Sequence, residues 1–376
     1  MKLTALLSAV TLCVVLCAAA ADDAADARLI ERANQIQKRI LAFDCHFDLP
    51  FDYAGAAEDG KTQFDLPKAA RGQLKGGAIA VWVPLGPRTP EGYAKGRGDA
   101  EKKYSLIKAV AEENPTKAAI AYSPDDVRRI VAQGKFAVVM SMLDVYPLGS
   151  DVDQLDEWYK RGVRVLGFNQ HGHNAWSDSS RPNKKLDTVQ EEHGGLSELG
   201  KRGVARLNQL GVLIDVSQLS TASFKQVMSL TKAPVIATHS AVKALVDSPR
   251  NLNDEELDLL KKNGGVLGVV AFGDYVRQRP AVPAGQPMPP ATVPQFVGSI
   301  AYAVKKLGID HVGISSEFNH GGGVAGWQNE GEGQNVTAEL LRRGYSERDI
   351  AKLWGGNFLR VWGEAQQAAK SLHASR

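Results

Sequence analysis

The sequence predicts an α/β fold closed as a (β/α)8 barrel, and three observations carry that expectation. Short β-rich apolar runs alternate with longer stretches of helical periodicity; about eight such units follow one another; and the residues suited to chemistry gather at the C-terminal ends of the strand runs. Alternating β and α segments imply a parallel sheet, and eight of them suit a barrel whose working residues stand on the rim where the strands end. The competing architecture is an open doubly wound sheet, but no G-x-G-x-x-G turn follows an early strand.

In order, the strand runs are ILAFD, GGAIAVWV, FAVVMSML, VRVLGF, GVLIDV, PVIATH, GVLGVVAF and HVGISS. Each is short and rich in β-branched or aromatic residues, as buried strands are. Between them lie helical patterns: LDEWYKRG precedes VRVLGF, LGKRGVARLNQL precedes GVLIDV, TASFKQVMSL precedes PVIATH, and FVGSIAYAVKKLG precedes HVGISS. The stretch PAVPAGQPMPPATVP, residues 280–294, reads as a proline-rich surface insertion between the seventh and eighth units, not a domain linker. The NVT at Asn335 opens the helical pattern TAELLRRGY and reads as a helix cap.

The first residues, MKLTALLSAVTLCVVLCAAAADDAAD, combine a lysine, a short apolar run, small residues at Ala19 and Ala21, and then acids. This is the pattern of a cleavable secretory signal over residues 1–21, leaving residues 22–376 as one barrel domain with no transmembrane segment. Cys17 is preceded by Leu16 where a lipoprotein site needs a small residue, so a lipid anchor is not expected. Cys13 and Cys17 leave with the signal. The remaining Cys45 cannot form an intramolecular disulfide, which suits the bacterial periplasm better than a eukaryotic cell surface. Of the 376 residues 44% are hydrophobic, enough for a sizeable core. Lys+Arg 45 against Asp+Glu 42 leaves a net charge of +3, scattered without a basic stripe, which argues against nucleic acid and for a small-molecule ligand.

The strand ends supply the chemistry. In DCHFDLP, residues 44–50, His46 and Asp48 share one face because strand side chains alternate. Other strands end in NQHGHNAW, SQLS, THSA and SEFNH. With only 8 histidines in the chain, finding His171, His173 and His239 at such ends beside His46, with His320 close behind, points to one functional rim.

Through DCHFDLPFD, VYPLGSDVDQLDEWYKRGVRVLGF, NAWSDSSRP, LIDVSQLS, APVIATHSA, SPRNLNDEEL, HVGISSEF and ELLRRGYSERDIAKLWGGNFLRVW, the sequence resembles the renal (membrane) dipeptidase family of metallohydrolases. The resemblance runs through essentially the whole mature chain. It implies a (β/α)8 barrel of the metal-dependent hydrolase type, two zinc ions, a homodimer, and dipeptide substrates often tolerant of a D-residue at the second position. It also implies metal-ligand roles for His46, Asp48 and His239. Arg250 would hold the substrate's free carboxylate, a task that suits a guanidinium fork. Glu317 falls where the family has an aspartate near the metals and the substrate amino group.

Three departures alter the expectation. Leu143 stands where the family has the glutamate bridging both metals, and a leucine cannot bind a cation. Asp144 is adjacent, but one step along a strand reverses the side chain's direction, so it can substitute only if the backbone bends. Gln218 replaces the second-metal histidine of the fifth strand and offers a poor ligand for zinc. Gln170 aligns with the histidine that polarises the substrate carbonyl, leaving His171 or His173 to take that role. The expected protein is therefore an exported dipeptidase with one zinc rather than two, held by His46, Asp48 and His239. Glu317, Asp144 and His171 are its candidate catalytic groups, and Arg250, Glu317 and Gln170 its candidate substrate contacts. The alternative is a diverged relative that binds a small peptide or peptide-derived metabolite without hydrolysing it.

Overall fold

All eight expected strands form in the computed structural model, which describes residues 26–283 and 285–375. They are β1 (Phe43–Phe47), β2 (Gly76–Val81), β4 (Phe136–Met142), β5 (Val163–Gly167), β6 (Leu213–Asp215), β7 (Ile236–Ser240), β8 (Val266–Val270) and β9 (Val312–Ser315). One further strand, β3 (Ala118–Ile120), pairs only with β4 and lies off the barrel path. Three residues reading AAI are too short to show a period, which is why sequence pattern passes over them.

Neighbouring strands are parallel in the order β1-β2-β4-β5-β6-β7-β8-β9. The ring closes between the segments leaving β9 and β1: Glu317 N–H donates to the His46 carbonyl at 3.1 Å, and Asp48 N–H donates to the Phe318 carbonyl at 3.0 Å. The (β/α)8 barrel is thus the architecture, and the residues that close it are the ones singled out at the strand ends.

Local chemistry sets the helix limits. Helix Asp254–Asn263 begins with a capping box between Asn253 and Glu256 and stops at Gly264, whose φ of 82° lies in the left-handed region. Helix Val293–Leu307 starts inside the proline-rich stretch, with Thr292 and Gln295 forming its capping box, so the surface insertion ends before Val293. Asn335 lies inside helix Gly333–Arg342, where its side chain donates to the Gly326 carbonyl; it is not the cap.

Phe43, Leu213, Ile236 and Val266, the first residues of β1, β6, β7 and β8, pack with Phe358 and Trp362 of the C-terminal helix Asn357–Ala374. The Phe43 and Phe358 rings lie 4.6 Å apart. This helix seals the N-terminal end of the barrel with apolar side chains and leaves the opposite rim for polar ones. Cys45 is buried and unpaired in β1. The expected signal, residues 1–21, lies outside the described residues; among those described, no helix is long and apolar enough to cross a membrane.

Candidate metal centre

His46 and His239 meet across the rim, their rings stacked with centroids 4.1 Å apart and planes 21° from parallel. Both sit where pairing slips: register shifts between Asp44 and Phe47 in the β1–β2 ladder, and between Ala237 and Ser240 in the β7–β8 ladder. Such irregularities re-aim side chains, and they are common beside functional sites. His46 is held from behind by Asp44, whose Oδ1 accepts the N–H groups of His46 and Ser316, each at 3.0 Å.

Asp48 and Glu317 complete the cluster. Asp48 Oδ2 lies 3.8 Å from His46 Nε2, and Glu317 Oε2 lies 4.0 Å from the same nitrogen. His46 Nε2, both Asp48 carboxylate oxygens and Glu317 Oε2 are buried without a hydrogen-bond partner. Unsatisfied buried polar atoms are costly, so a convergent group of them marks a place built for something else to bind. One imidazole nitrogen and two carboxylates form a donor set that suits zinc. Burial alone would raise Asp48's pKa, but His320, His46 and Lys103 outweigh it and hold the carboxyl below its ordinary range. Burial raises Glu317, with His46 and His320 opposing it.

A different grouping, His46, Asp215 and His239, presents ligand atoms that all lie within 4.8 Å of one another. Its hydrogen bonding speaks for a structural task. Asp215 Oδ1 accepts from Ser217 N–H at 2.9 Å and Thr238 N–H at 3.0 Å, while Oδ2 accepts from the Thr238 hydroxyl. With that hydroxyl proton committed, Thr238 Oγ1 accepts from His239 Nδ1–H at 2.7 Å, and His239 Nε2 accepts from the Gln218 amide at 3.0 Å. Both nitrogens of His239 are thereby engaged, and the stacking holds the two rings in nearly parallel planes. Burial first, then His46 and Arg250, hold His239's pKa far below its ordinary value and keep it neutral. His239 thus stacks on His46, while its ligand atom is occupied by the residue that replaces the second-metal histidine.

Leu143 is buried yet stands outside both packed apolar clusters. The chain bends there: a Cβ on Gly167 would lie 2.5 Å from the Leu143 carbonyl oxygen, so only glycine permits that approach. The bend does not bring Asp144 to the metal ligands. Its Oδ1 accepts the Tyr146 N–H at 2.8 Å, and burial raises its pKa to about 7 with no charged neighbour acting on it. His171 lies in the loop with Arg181, Pro182 and Asp187, where burial and Arg181 lower its pKa. His173 is structural: Nδ1 accepts from Ser179 N–H at 3.0 Å and Nε2 donates to the Val189 carbonyl at 3.2 Å. Gln170 anchors the same loop by accepting Ser179's hydroxyl on its carbonyl at 2.8 Å.

Arg250 is 4% exposed. Nη2 donates to the His239 carbonyl at 2.9 Å, Nη1 is buried without a partner, and the guanidinium sits 5.5 Å from the Tyr275 ring centroid. A cavity of about 240 Å³ opens beside it, lined in part by Gln218, Ser220, Lys243 and Glu256. A larger one, about 560 Å³, is lined by Leu66, Lys75, Lys117 and Phe136 and touches none of these groups. The smaller one adjoins the chemistry.

Sequence reasoning missed one member of the neighbourhood and gave another no role. Asp215 ends β6 within LIDVSQ, a strand-end acid that the rim rule could have flagged. His320 was noted only as following SEFN, yet its Nδ1 lies 3.1 Å from Asp48 Oδ2. Gln218 and Glu317 have φ of 68° and 57°, left-handed conformations rare outside glycine that residue order does not announce.

A parallel barrel with imidazole and paired carboxylates converging at its C-terminal rim defines the class of metal-dependent barrel hydrolases. The family model described as "Membrane dipeptidase (Peptidase family M19)" matches residues 30–376, and the chain belongs to that family. A solved structure, the probable dipeptidase PvdM from Pseudomonas aeruginosa, superposes with a TM-score of 0.87 at 43% identity, covering 91% of this chain and 99% of that one. Dipeptidase aclJ of Aspergillus oryzae is 28% identical over 315 residues, covering 82% of this chain and 72% of the relative. Dipeptidase tcpJ of Claviceps purpurea is 29% identical over 277 residues, 73% of this chain and 61% of the relative. The chain is accordingly a hydrolase of the metallodipeptidase class.

Proposed function

We propose that the protein is an exported dipeptidase that hydrolyses the amide bond of small dipeptides at a single zinc held by His46, Asp48 and Glu317. The observation that carries this reading is the set of buried, unpartnered ligand atoms on those three residues, with Arg250, bonded to the carbonyl of nearby His239, also keeping an unpartnered nitrogen. A zinc ion bound there supplies Lewis-acid polarisation of the scissile carbonyl and an acidified water.

The remaining work falls to the chain's own groups. Arg250 fixes the peptide's free carboxylate through Nη1 while its bond to the His239 carbonyl keeps the fork in place. Glu317, with Oε2 toward His46 and Oε1 toward His320, adjoins the place where the substrate amine would lie. Gln218 and Leu143 support one metal rather than two: the first blocks the His239 lone pair, and the second leaves no carboxylate to sit between two dications. His171 and Gln170, on the loop after β5, are the proposed carbonyl contacts. The signal pattern over residues 1–21 supports export to the periplasm, and the family resemblance supports a homodimer.

Metal analysis joined to an activity screen on L-L and L-D dipeptides tests this. The expected result is about one zinc per chain and turnover that a chelator abolishes. Less than about a tenth of an equivalent of any transition metal after zinc supplementation would instead favour a peptide-binding relative without hydrolysis.

A further inference from the structure

We propose that His320 is a direct fourth ligand of the metal, replacing within this chain the coordination lost with the carboxylate absent at Leu143. The inference rests on the single-zinc reading of the site and adds a residue to it.

Four residues define the shell. His46 Nε2 is 3.8 Å from Asp48 Oδ2 and 4.0 Å from Glu317 Oε2. His320 Nδ1 is 3.1 Å from that Asp48 oxygen and 3.8 Å from Glu317 Oε1. Ligands at zinc–nitrogen and zinc–oxygen distances of about 2.0 to 2.2 Å, set at tetrahedral angles, lie about 3.3 to 3.6 Å from one another. The observed spacings bracket that range, and three protein ligands become four donors of the usual zinc types.

The orientation of His320 separates a ligand from a hydrogen-bond partner. At 3.1 Å, Nδ1 and Asp48 Oδ2 are close enough to bond, yet both are buried atoms without a well-formed hydrogen bond. Two donors lying side by side without such a bond are arranged for a common third atom. An imidazole that merely oriented Asp48 would aim its N–H at the oxygen.

The backbone is shaped to deliver this ring. His320 N–H donates to the Glu317 carbonyl at 3.2 Å, closing a tight turn in which Glu317 and Asn319 take φ of 57° and 63°. Two non-glycine residues in the left-handed region within three positions are costly, and such strain persists where the surroundings enforce it. Asn319 supplies the enforcement: Nδ2 donates to the Asp48 carbonyl at 2.8 Å, its N–H donates to Gln63 Oε1 at 2.7 Å, and its Oδ1 accepts Gln63 N–H at 2.9 Å. Trp82 packs against the imidazole with ring centroids 4.3 Å apart. The SEFNH turn is thus pinned to the segment that carries Asp48, holding His320 over the metal ligands.

X-ray absorption on the full-length chain loaded with one equivalent of zinc counts the imidazoles at the metal, and chelator competition measures its affinity. The expected result is two imidazoles in the wild type, one in folded His320→Gln with zinc bound at least tenfold more weakly, and two in His239→Gln. One imidazole in the wild type, or a count unchanged by His320→Gln, overturns the proposal while leaving a single-zinc dipeptidase intact. Loss of one imidazole in His239→Gln and not in His320→Gln overturns it equally. Failure of the wild type to bind zinc overturns this proposal together with the reading it rests on. If His320→Gln does not fold, the wild type and His239→Gln decide together: two imidazoles in both support the proposal, and one imidazole in either overturns it.

Discussion

Replacing Asp144 with asparagine should stabilise the protein at neutral and alkaline pH and do little at pH 4. The carboxyl is 2% exposed, and its one structural duty is to accept the Tyr146 N–H at 2.8 Å, which an asparagine Oδ1 can also accept. Burial raises its pKa from an ordinary 3.8 to about 7. The folded state therefore holds a proton that the unfolded chain has released between those values, so stability falls as pH rises through that window and levels off above it. At about 1.36 kcal/mol per pH unit, the loss reaches roughly 4 kcal/mol by pH 8, and Asp144→Asn removes it. Urea unfolding of both proteins at pH 4 and pH 8 measures the difference. A stabilisation of about 2 to 4 kcal/mol at pH 8 that vanishes by pH 4 is expected. Equal differences at the two pH values, or a less stable variant at pH 8, would refute the argument. Turnover supplies a second reading: as a group bonded only to the backbone, Asp144 should be dispensable. A loss of about a hundredfold or more in the folded variant, the scale of a missing general acid or base, would return it to the catalytic set.

Leu143→Glu combined with Gln218→His should raise zinc content from about one per chain toward two, because it restores a bridging carboxylate and a second imidazole and frees the His239 lone pair; mass spectrometric metal analysis of the folded double variant decides it. Amidating a dipeptide's C-terminus should weaken binding about ten- to a hundredfold by calorimetry, in keeping with about 1.5 to 3 kcal/mol for a charge-assisted contact to Arg250, and Arg250→Lys should lose much of the same advantage; equal binding of amide and acid by the wild type would remove the carboxylate role. Thr238→Val should cost about 1 to 3 kcal/mol in urea unfolding, since it leaves Asp215 Oδ2 without its hydroxyl donor and His239 Nδ1 without an acceptor inside the barrel; an unchanged midpoint would contradict the chain of bonds from Gln218 to Asp215.

Most of the fold was legible because a barrel is a local pattern repeated. Each strand run in GGAIAVWV, FAVVMSML or GVLGVVAF declares itself by its own composition, and alternation with helical stretches then dictates parallel pairing. Residue order and resemblance singled out His46, Asp48, His239, Arg250 and Glu317, and the fold sets His46 beside His239, Asp48 and Glu317 and bonds Arg250 to the His239 carbonyl. The rim rule failed for Asp144, where a bend after β4 turns the carboxyl to nearby backbone, it passed over Asp215, and it left His320 at the rim without a role. Those misses share a cause: each depends on where a side chain points after the strand has ended, and there the alternation that makes strands readable no longer holds.

The sequence by itself determined which elements form, in what order, and which residue types are present or missing at each strand end. Leucine at 143 and glutamine at 218 are chemical facts that no packing can reverse. Tertiary structure alone decided how the remaining groups are spent. It paired Gln218 with His239, saturated Asp215 with Thr238 and Ser217, and left the ligand atoms of His46, Asp48, Glu317 and His320 facing one another without partners. The physical reason is that strand composition is set by short-range periodicity, whereas a ligand's direction is set within a few tenths of an ångström by contacts between β1, β6, β7 and the turn after β9, segments up to about 270 residues apart in the chain.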